Sequence, residues 1–265
     1  MLVFSKSSFF LSFFFSSRPS PVLDLLTPEA LFSCLQGCEN SAPESDLLTY
    51  KHWKEADQRG YVFSKIFNFC LKVQDIPSSW KISSCILLPK TGDFKCLDNW
   101  RPIALSNTIY KLFSKCLTRC LQDWCEANDI LSKCQKGFPP FDGAVEPNFV
   151  ISQHLERARS HNDFFVIWLD IVNAIASILH EVLFSSLKNV GVDHDFVKLI
   201  FNIYSESFSK IGTCDGLTEP IPSLCGVKQG CPLCGILFKI AINHILVSLQ
   251  ADAESHSVLA FADDL

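Results

Sequence analysis

The chain has 265 residues, 48% of them apolar and 19% charged, and a formal net charge of −5. A chain of that length buries about 70–75% of its unfolded surface, and the composition lies far from the low-hydrophobicity, high-charge pattern of disordered proteins. No run of 18 apolar residues is present to span a bilayer, and the acidic balance gives the chain as a whole no basic footprint for nucleic acid.

In chain order, Lys6 precedes the apolar run Phe9-Phe10-Leu11-Ser12-Phe13-Phe14-Phe15. This imitates the basic and apolar regions of a signal peptide but lacks an A-x-A-like cleavage site. Pro19, Pro21 and Pro28 read as linker, so residues 1–40 are expected to be a poorly ordered leader and the folded body to occupy residues 41–265. Residues 54–73 carry Val62, Phe63, Ile66, Phe67, Phe69, Cys70 and Val73 at helical spacing, stopping before Pro77. Residues 82–88 are β-branched and apolar, closed by Pro89, and predict a strand followed by a turn at Lys90-Thr91-Gly92-Asp93. Ile109, Leu112, Phe113, Cys116, Leu117, Cys120, Leu121 and Trp124 form a clean helical stripe, with Lys111, Lys115 and Arg119 as a basic ridge on the opposite face.

Residues 164–169 are nearly all apolar and end in Asp170, which predicts a central strand buried on both faces. Helices are predicted over 180–189 and 195–204, separated by Gly191. A Gly/Pro-punctuated loop over 226–232 feeds a helix over 236–249, on which His244 reads as a packed histidine rather than a ligand. Residues 257–262 predict a last strand, running into Asp263-Asp264-Leu265. Without internal repeats or a Rossmann or P-loop glycine signature, the pattern is an α+β body. Thirteen cysteines at irregular spacing point to reduced thiols inside a cell rather than a disulfide framework. Cys231 and Cys234 form a C-x-x-C with no second pair at zinc-ribbon spacing.

Three carboxylates carry the chemistry. Asp263 and Asp264 are adjacent at the end of an apolar strand, and their mutual repulsion calls for a cation or a partner. Alone, they read better as a solvated turn. Asp170 also ends a predicted buried strand, where a charge is expensive. If the two strands lie side by side, three carboxylates converge on one sheet edge, a site for hard divalent cations. Two such ions serve phosphoryl or nucleotidyl transfer, which by chemistry alone leaves nuclease, phosphatase and polymerase open.

The flanking residues resemble the reverse transcriptases of non-LTR (LINE-type) retrotransposons. Ser41-Ala42-Pro43-Glu44-Ser45-Asp46 is similar to the family's "SAPGPDG" segment, and residues 76–93 resemble its first finger strand. Asn99-Trp100-Arg101-Pro102-Ile103-Ala104-Leu105 with Tyr110-Lys111-Leu112 resembles "NWRPI…YK". Gln135-Lys136-Gly137-Phe138 matches "Q-x-G-F", Gly226-Val227-Lys228-Gln229-Gly230-Cys231-Pro232-Leu233 is close to "GVRQGCPLSP", and Phe261-Ala262-Asp263-Asp264 is a Phe variant of Y-A-D-D. The segments stand in the family's order.

The resemblance implies right-handed polymerase fingers over about residues 41–160 and a partial palm over about 161–265, an antiparallel sheet with packed helices. It implies RNA-directed DNA polymerase ancestry, with an RNA template, a DNA primer and dNTP as partners and no membrane. Asp170, Asp263 and Asp264 would hold two Mg²⁺ ions. Lys90 and Arg101 would reach the incoming triphosphate, and Gln229 and Gly230 would lie against template and nucleotide. The finger region agrees in charge, with nine Lys and Arg against five Asp and Glu between Lys81 and Lys136. Two positions depart from the pattern. Ile175 stands where an aromatic side chain normally blocks a ribose 2′-OH, so discrimination of dNTP from rNTP is expected to be weak, and Ala176 replaces a second aspartate. The family's return strand, lysine general acid and thumb lie beyond F-A-D-D and outside residues 1–265, so this chain alone is expected to show negligible primer extension. The alternative reading is a non-catalytic retrotransposon remnant or an RNA-binding protein.

Overall fold

The computed structural model describes residues 20–40, 43–44, 46–138, 145–160, 167–171, 173–251, 258–262 and 264. Helix α1 (Pro28–Gln36) opens the fold; Thr27 Oγ1 accepts from Ala30 N at 3.2 Å, and Pro28 sits in the first turn, where its missing N–H costs nothing. Leu31 and Leu35 are fully buried. Upstream, Trp124 Nε1 donates to Ser20 O at 2.8 Å, and Asn68 holds both the N–H and the carbonyl of Leu26. The expectation of a poorly ordered leader is therefore corrected for residues 20–40, which belong to the core. The Phe-rich run at 9–15 lies outside the described residues.

The predicted helix over 54–73 is two helices, α2 (Tyr50–Ala56) and α3 (Tyr61–Val73), parted at Gly60 with φ 76°. Between them the buried Asp57 carboxylate accepts from Val62 N and Phe63 N at 2.8 and 2.9 Å, so α3 starts on a charge-assisted cap. Short α4 (Ser78–Lys81) leads into β1 (Ile82–Pro89) and β2 (Trp100–Leu105). These pair antiparallel from Ser84↔Leu105 to Pro89↔Trp100. Helix α5 (Thr108–Ala127) buries Leu112, Phe113, Leu117 and Leu121 along the predicted stripe, but it also buries Tyr110 and Lys111 beside it, so Lys111 is not on an exposed ridge. Phe113 meets Phe67 of α3 at 5.0 Å and Trp80 of α4 at 6.0 Å between ring centroids, an aromatic knot at the centre of the core.

Helices α6 (Val145–Ser160), α7 (Ala174–Ser177), α8 (His180–Asn189) and α9 (His194–Tyr204) follow, then β3 (Phe208–Thr213), β4 (Gly216–Leu217) and β5 (Ile221–Pro222). Strand β3 joins β1 in parallel and pairs antiparallel with β4 and β5, giving the order β2-β1-β3-β4 with β5 also on β3. This mixed, mostly antiparallel sheet with packed helices is the expected α+β architecture.

Helix α10 (Leu233–Gln250) packs against α8 and α5. By length and hydropathy it could cross a membrane, yet Ile236, Leu237, Ile240, Ala241 and Leu246 are buried within the fold. His244 is exposed on α10 rather than packed, its Nδ1 3.0 Å from Ala241 O. The predicted central strand also differs: Ile167, Trp168 and Leu169 are 74%, 67% and 53% exposed and form no ladder, while residues 164–166 lie outside the described residues. An apolar run is buried only where neighbours cover it, and among the described residues this one meets its neighbour at a single bridge, at Asp170.

Candidate active site

Four segments meet around a cavity of about 790 Å³. The first is the end of the β1–β2 hairpin. Register places Leu88 opposite Arg101, and Lys90 N donates to Asn99 O at 2.7 Å just beyond the strand. The hairpin loop is fastened by Asn99 Nδ2 to Asp93 O at 2.8 Å and by Trp100 Nε1 to Phe94 O at 3.0 Å. Lys90 and Arg101 thus enter the cavity wall from one rigid tip.

The second segment, residues 226–232, lies between the hairpin and the chain after Asp170. Gly226 N donates to Ile178 O at 2.7 Å and Val227 N to Ile175 O at 3.0 Å, while Ala104 N donates to Gln229 O at 3.0 Å. Gly230 has φ 99°, and a Cβ there would lie 2.8 Å from Ala104 O, so the loop can rest on β2 only through glycine. Lys228 anchors the loop from below: it is 7% exposed, and its Nζ donates to Lys81 O at 2.9 Å beneath the Tyr110 ring, 5.8 Å from the centroid. Burial lowers the Lys228 ammonium to about 8.

The third segment is residues 170–176, with Asn173 in the left-handed region at φ 51° before α7. Ile175 is partly buried, packed against the main core and a smaller cluster around Phe238. The fourth is the turn at 261–264, closed by Phe261 N to Asp264 O at 2.8 Å and Asp264 N to Phe261 O at 3.1 Å. An antiparallel bridge pairs Asp170 with Asp264, which sets both side chains on one face of the bridge.

The structure therefore brings Asp170, Lys90, Arg101, Ile175, Gln229 and Gly230 to one cavity, with Asp264 paired to Asp170 at its edge. Asp263 lies outside the described residues. Like charges directly opposite destabilise a strand pair. Neither Asp170 nor Asp264 has an ion-pair partner among the described residues. Two exposed, hard, like-charged oxygen donors fit a divalent cation, which would neutralise them. The two are a partial donor set, since no group of three candidate ligands occurs among the described residues.

Two contributors escape a sequence reading. Gln135 stands in the Q-x-G-F segment without an evident task, yet its side chain reaches the turn at Ala262. Lys228 resembles a surface cation and is buried. Only the nearness of glycine to each, Gly137 and Gly230, signals a close backbone approach.

Residues 88–265 match the family described as reverse transcriptase (RNA-dependent DNA polymerase). The chain is 29% identical over 247 residues to the retrovirus-related Pol polyprotein from type-1 retrotransposable element R2 of Popillia japonica, covering 89% of this chain and 34% of that protein. It is 25% identical over 236 residues to the corresponding polyprotein from type-2 element R2DM of Drosophila melanogaster, covering 85% and 22%. To the transposon TX1 uncharacterized 149 kDa protein of Xenopus laevis it is 28% identical over 213 residues, covering 80% and 16%. The chain thus spans 34% or less of the length of these relatives.

Proposed function

The chain belongs to the reverse transcriptase family, and on that premise we propose that its 790 Å³ cavity is the nucleotide site of an RNA-directed DNA polymerase of non-LTR retrotransposon type. The observation that carries this reading is the meeting of Lys90, Arg101, Gln229 and Gly230 with the Asp170–Asp264 bridge at one cavity. Fingers over about residues 41–160, with residues 20–40 packed onto them, and palm over about 161–265 are the division this reading assigns.

In the proposed reaction a primer 3′-OH attacks the α-phosphorus of a dNTP paired to an RNA template, forming the O3′–P bond and releasing pyrophosphate. Asp170, Asp263 and Asp264 would hold Mg²⁺. When bound, that ion lowers the pKa of the attacking hydroxyl and neutralises charge on the leaving group. Arg101 presents a planar fork of donors to phosphate oxygens and Lys90 a point charge, both fixed by the hairpin tip. Gln229 and Gly230 form the wall against the base pair, and Ile175 lies on the sugar side, an aliphatic side chain at the position where an aromatic one would exclude a 2′-OH.

The test is retention of the next complementary dNTP on an RNA template with a dideoxy-terminated DNA primer. Retention that needs Mg²⁺, is lost in Asp170→Asn and falls about tenfold or more in Arg101→Ala supports the reading. Retention unchanged by EDTA or by Asp170→Asn overturns it.

A further inference from the structure

The turn that carries Asp264 is held from outside itself. Ala262 lies in the left-handed region at φ 56°, where a side chain is disfavoured, so something must hold it there. Gln135 meets both sides of this residue. Its Oε1 accepts from Ala262 N at 2.9 Å and from Gly137 N at 2.7 Å, and its Nε2 donates to Ala262 O at 3.1 Å.

The backbone supports the same contact. Gln135 and Ala260 form a parallel bridge, with Ala260 N donating to Cys134 O at 2.9 Å and Lys136 N to Ala260 O at 2.7 Å. A Cβ on Gly137 would fall 2.2 Å from Ala262 N, so glycine is what lets the two segments close. Residues 130–138 are themselves fastened to α10 at both ends. Asn243 Nδ2 donates to Ile130 O at 2.9 Å and its Oδ1 accepts from Ser132 N at 2.8 Å, while the Phe138 ring meets Phe238 edge to face at 6.2 Å. A strap anchored on a buried helix thus ends in one amide that grips the turn.

We propose that Gln135 is a positioning residue for the cation-binding carboxylates: its amide fixes Ala262 and so sets Asp264 against Asp170. The inference rests on the proposed role of those carboxylates and adds the residue that holds them in register. Metal ligands are oriented by such outer contacts, whose loss typically weakens metal affinity about 10–100-fold.

The test reads two quantities besides turnover: amide hydrogen exchange at Ala262, and Mn²⁺ affinity by electron paramagnetic resonance. Gln135→Met keeps the length of the side chain and removes its hydrogen bonds. Asn68→Leu is the control, because Asn68 makes a comparable two-sided amide contact with Leu26 away from the cavity. The expected result is a protected Ala262 amide in the wild type, faster exchange there in Gln135→Met, Mn²⁺ binding weakened about tenfold or more in that variant, and unchanged binding in Asn68→Leu. An unprotected Ala262 amide in the wild type overturns the proposal, and this measurement decides the matter should Gln135→Met fail to fold. So does Mn²⁺ binding lost in Asp264→Asn but retained in Gln135→Met, which would leave the carboxylate reading intact. Wild-type protein that binds no Mn²⁺, or binds it unchanged in both Asp170→Asn and Asp264→Asn, overturns the carboxylate reading and this inference together.

Discussion

Asp170 and Asp264 face each other across one backbone bridge, and neither has an ion-pair partner among the described residues. Cross-strand pairs contribute roughly 0.2–1 kcal/mol, and like charges reverse the sign. Asp264→Asn is therefore expected to stabilise the metal-free protein by a few tenths of a kcal/mol, less at high salt. A urea titration in EDTA at low and high ionic strength checks this, and a destabilised variant would mean the pair is not repulsive. Ile175 makes a second residue-scale prediction. Ile175→Phe should raise preference for dNTP over rNTP about tenfold, in the range a single steric contact supplies, and competition between the two for retention on primer–template reads it. Lys228 makes a third. Its ammonium is lowered to about 8 from the ordinary 10.5, with burial the chief cause, the nearby Lys81 charge in the same direction and Cys231 opposing. Between those values the unfolded chain binds more protons than the folded one, so stability from this position is least below 8 and rises with pH towards 10.5. Wild type should therefore gain on Lys228→Met in urea unfolding as pH goes from 7 to 10, and a pH-independent difference would contradict the burial argument. Glycines 230 and 137 were legible as punctuation, but what they approach is a tertiary fact, and so the Gln135 grip on Ala262 was not readable from spacing.

Elements with long periodic stripes were legible: α5 follows its stripe through the core, α8 matches residues 180–189, and β1 matches the β-branched run before Pro89. The misses have separate local causes. Helix α1 has nine residues behind the prolines at 19 and 21, too short for periodicity to outweigh a linker composition, and only packing shows that Leu31 and Leu35 are fully buried where α1 lies against α3 and α5. Helix α6 leaves Val145, Phe149 and Leu155 exposed, so no apolar stripe marks it. Helix α10 is apolar nearly all round, which hid the face His244 would take. The claim that α1 belongs to the core is tested by Leu35→Ala, expected to cost about 2–5 kcal/mol in urea unfolding. A cost under about 0.5 kcal/mol, the range of surface substitutions, would return this segment to linker.

Across the whole molecule the basic stretch from Lys81 to Lys136 is less available to phosphate than its count suggests. Lys81 pairs with Asp75 and Lys136 with Glu146, each at 2.9 Å. Lys115 Nζ donates to Gly37 O at 2.9 Å, beyond the C-terminal end of α1, where carbonyls and helix dipole attract a cation. The predicted ridge of Lys111, Lys115 and Arg119 lines a second cavity of about 660 Å³ beside α1, and a third of about 840 Å³ lies between Leu23, Phe69 and Asp193. The proposed function therefore turns on which of these three cavities takes the nucleotide. Photolabelling with an azido-dATP on an RNA template and DNA primer in Mg²⁺, followed by peptide mapping, answers it directly. Binding in the cavity of Asp170 and Arg101 gives label on peptides containing Arg101 or residues 174–176, competed by dATP and absent in Asp170→Asn. Label on peptides around Cys34, Lys115 and Arg119, or around Leu23, Phe69 and Asp193, or labelling indifferent to Asp170→Asn, would contradict that assignment.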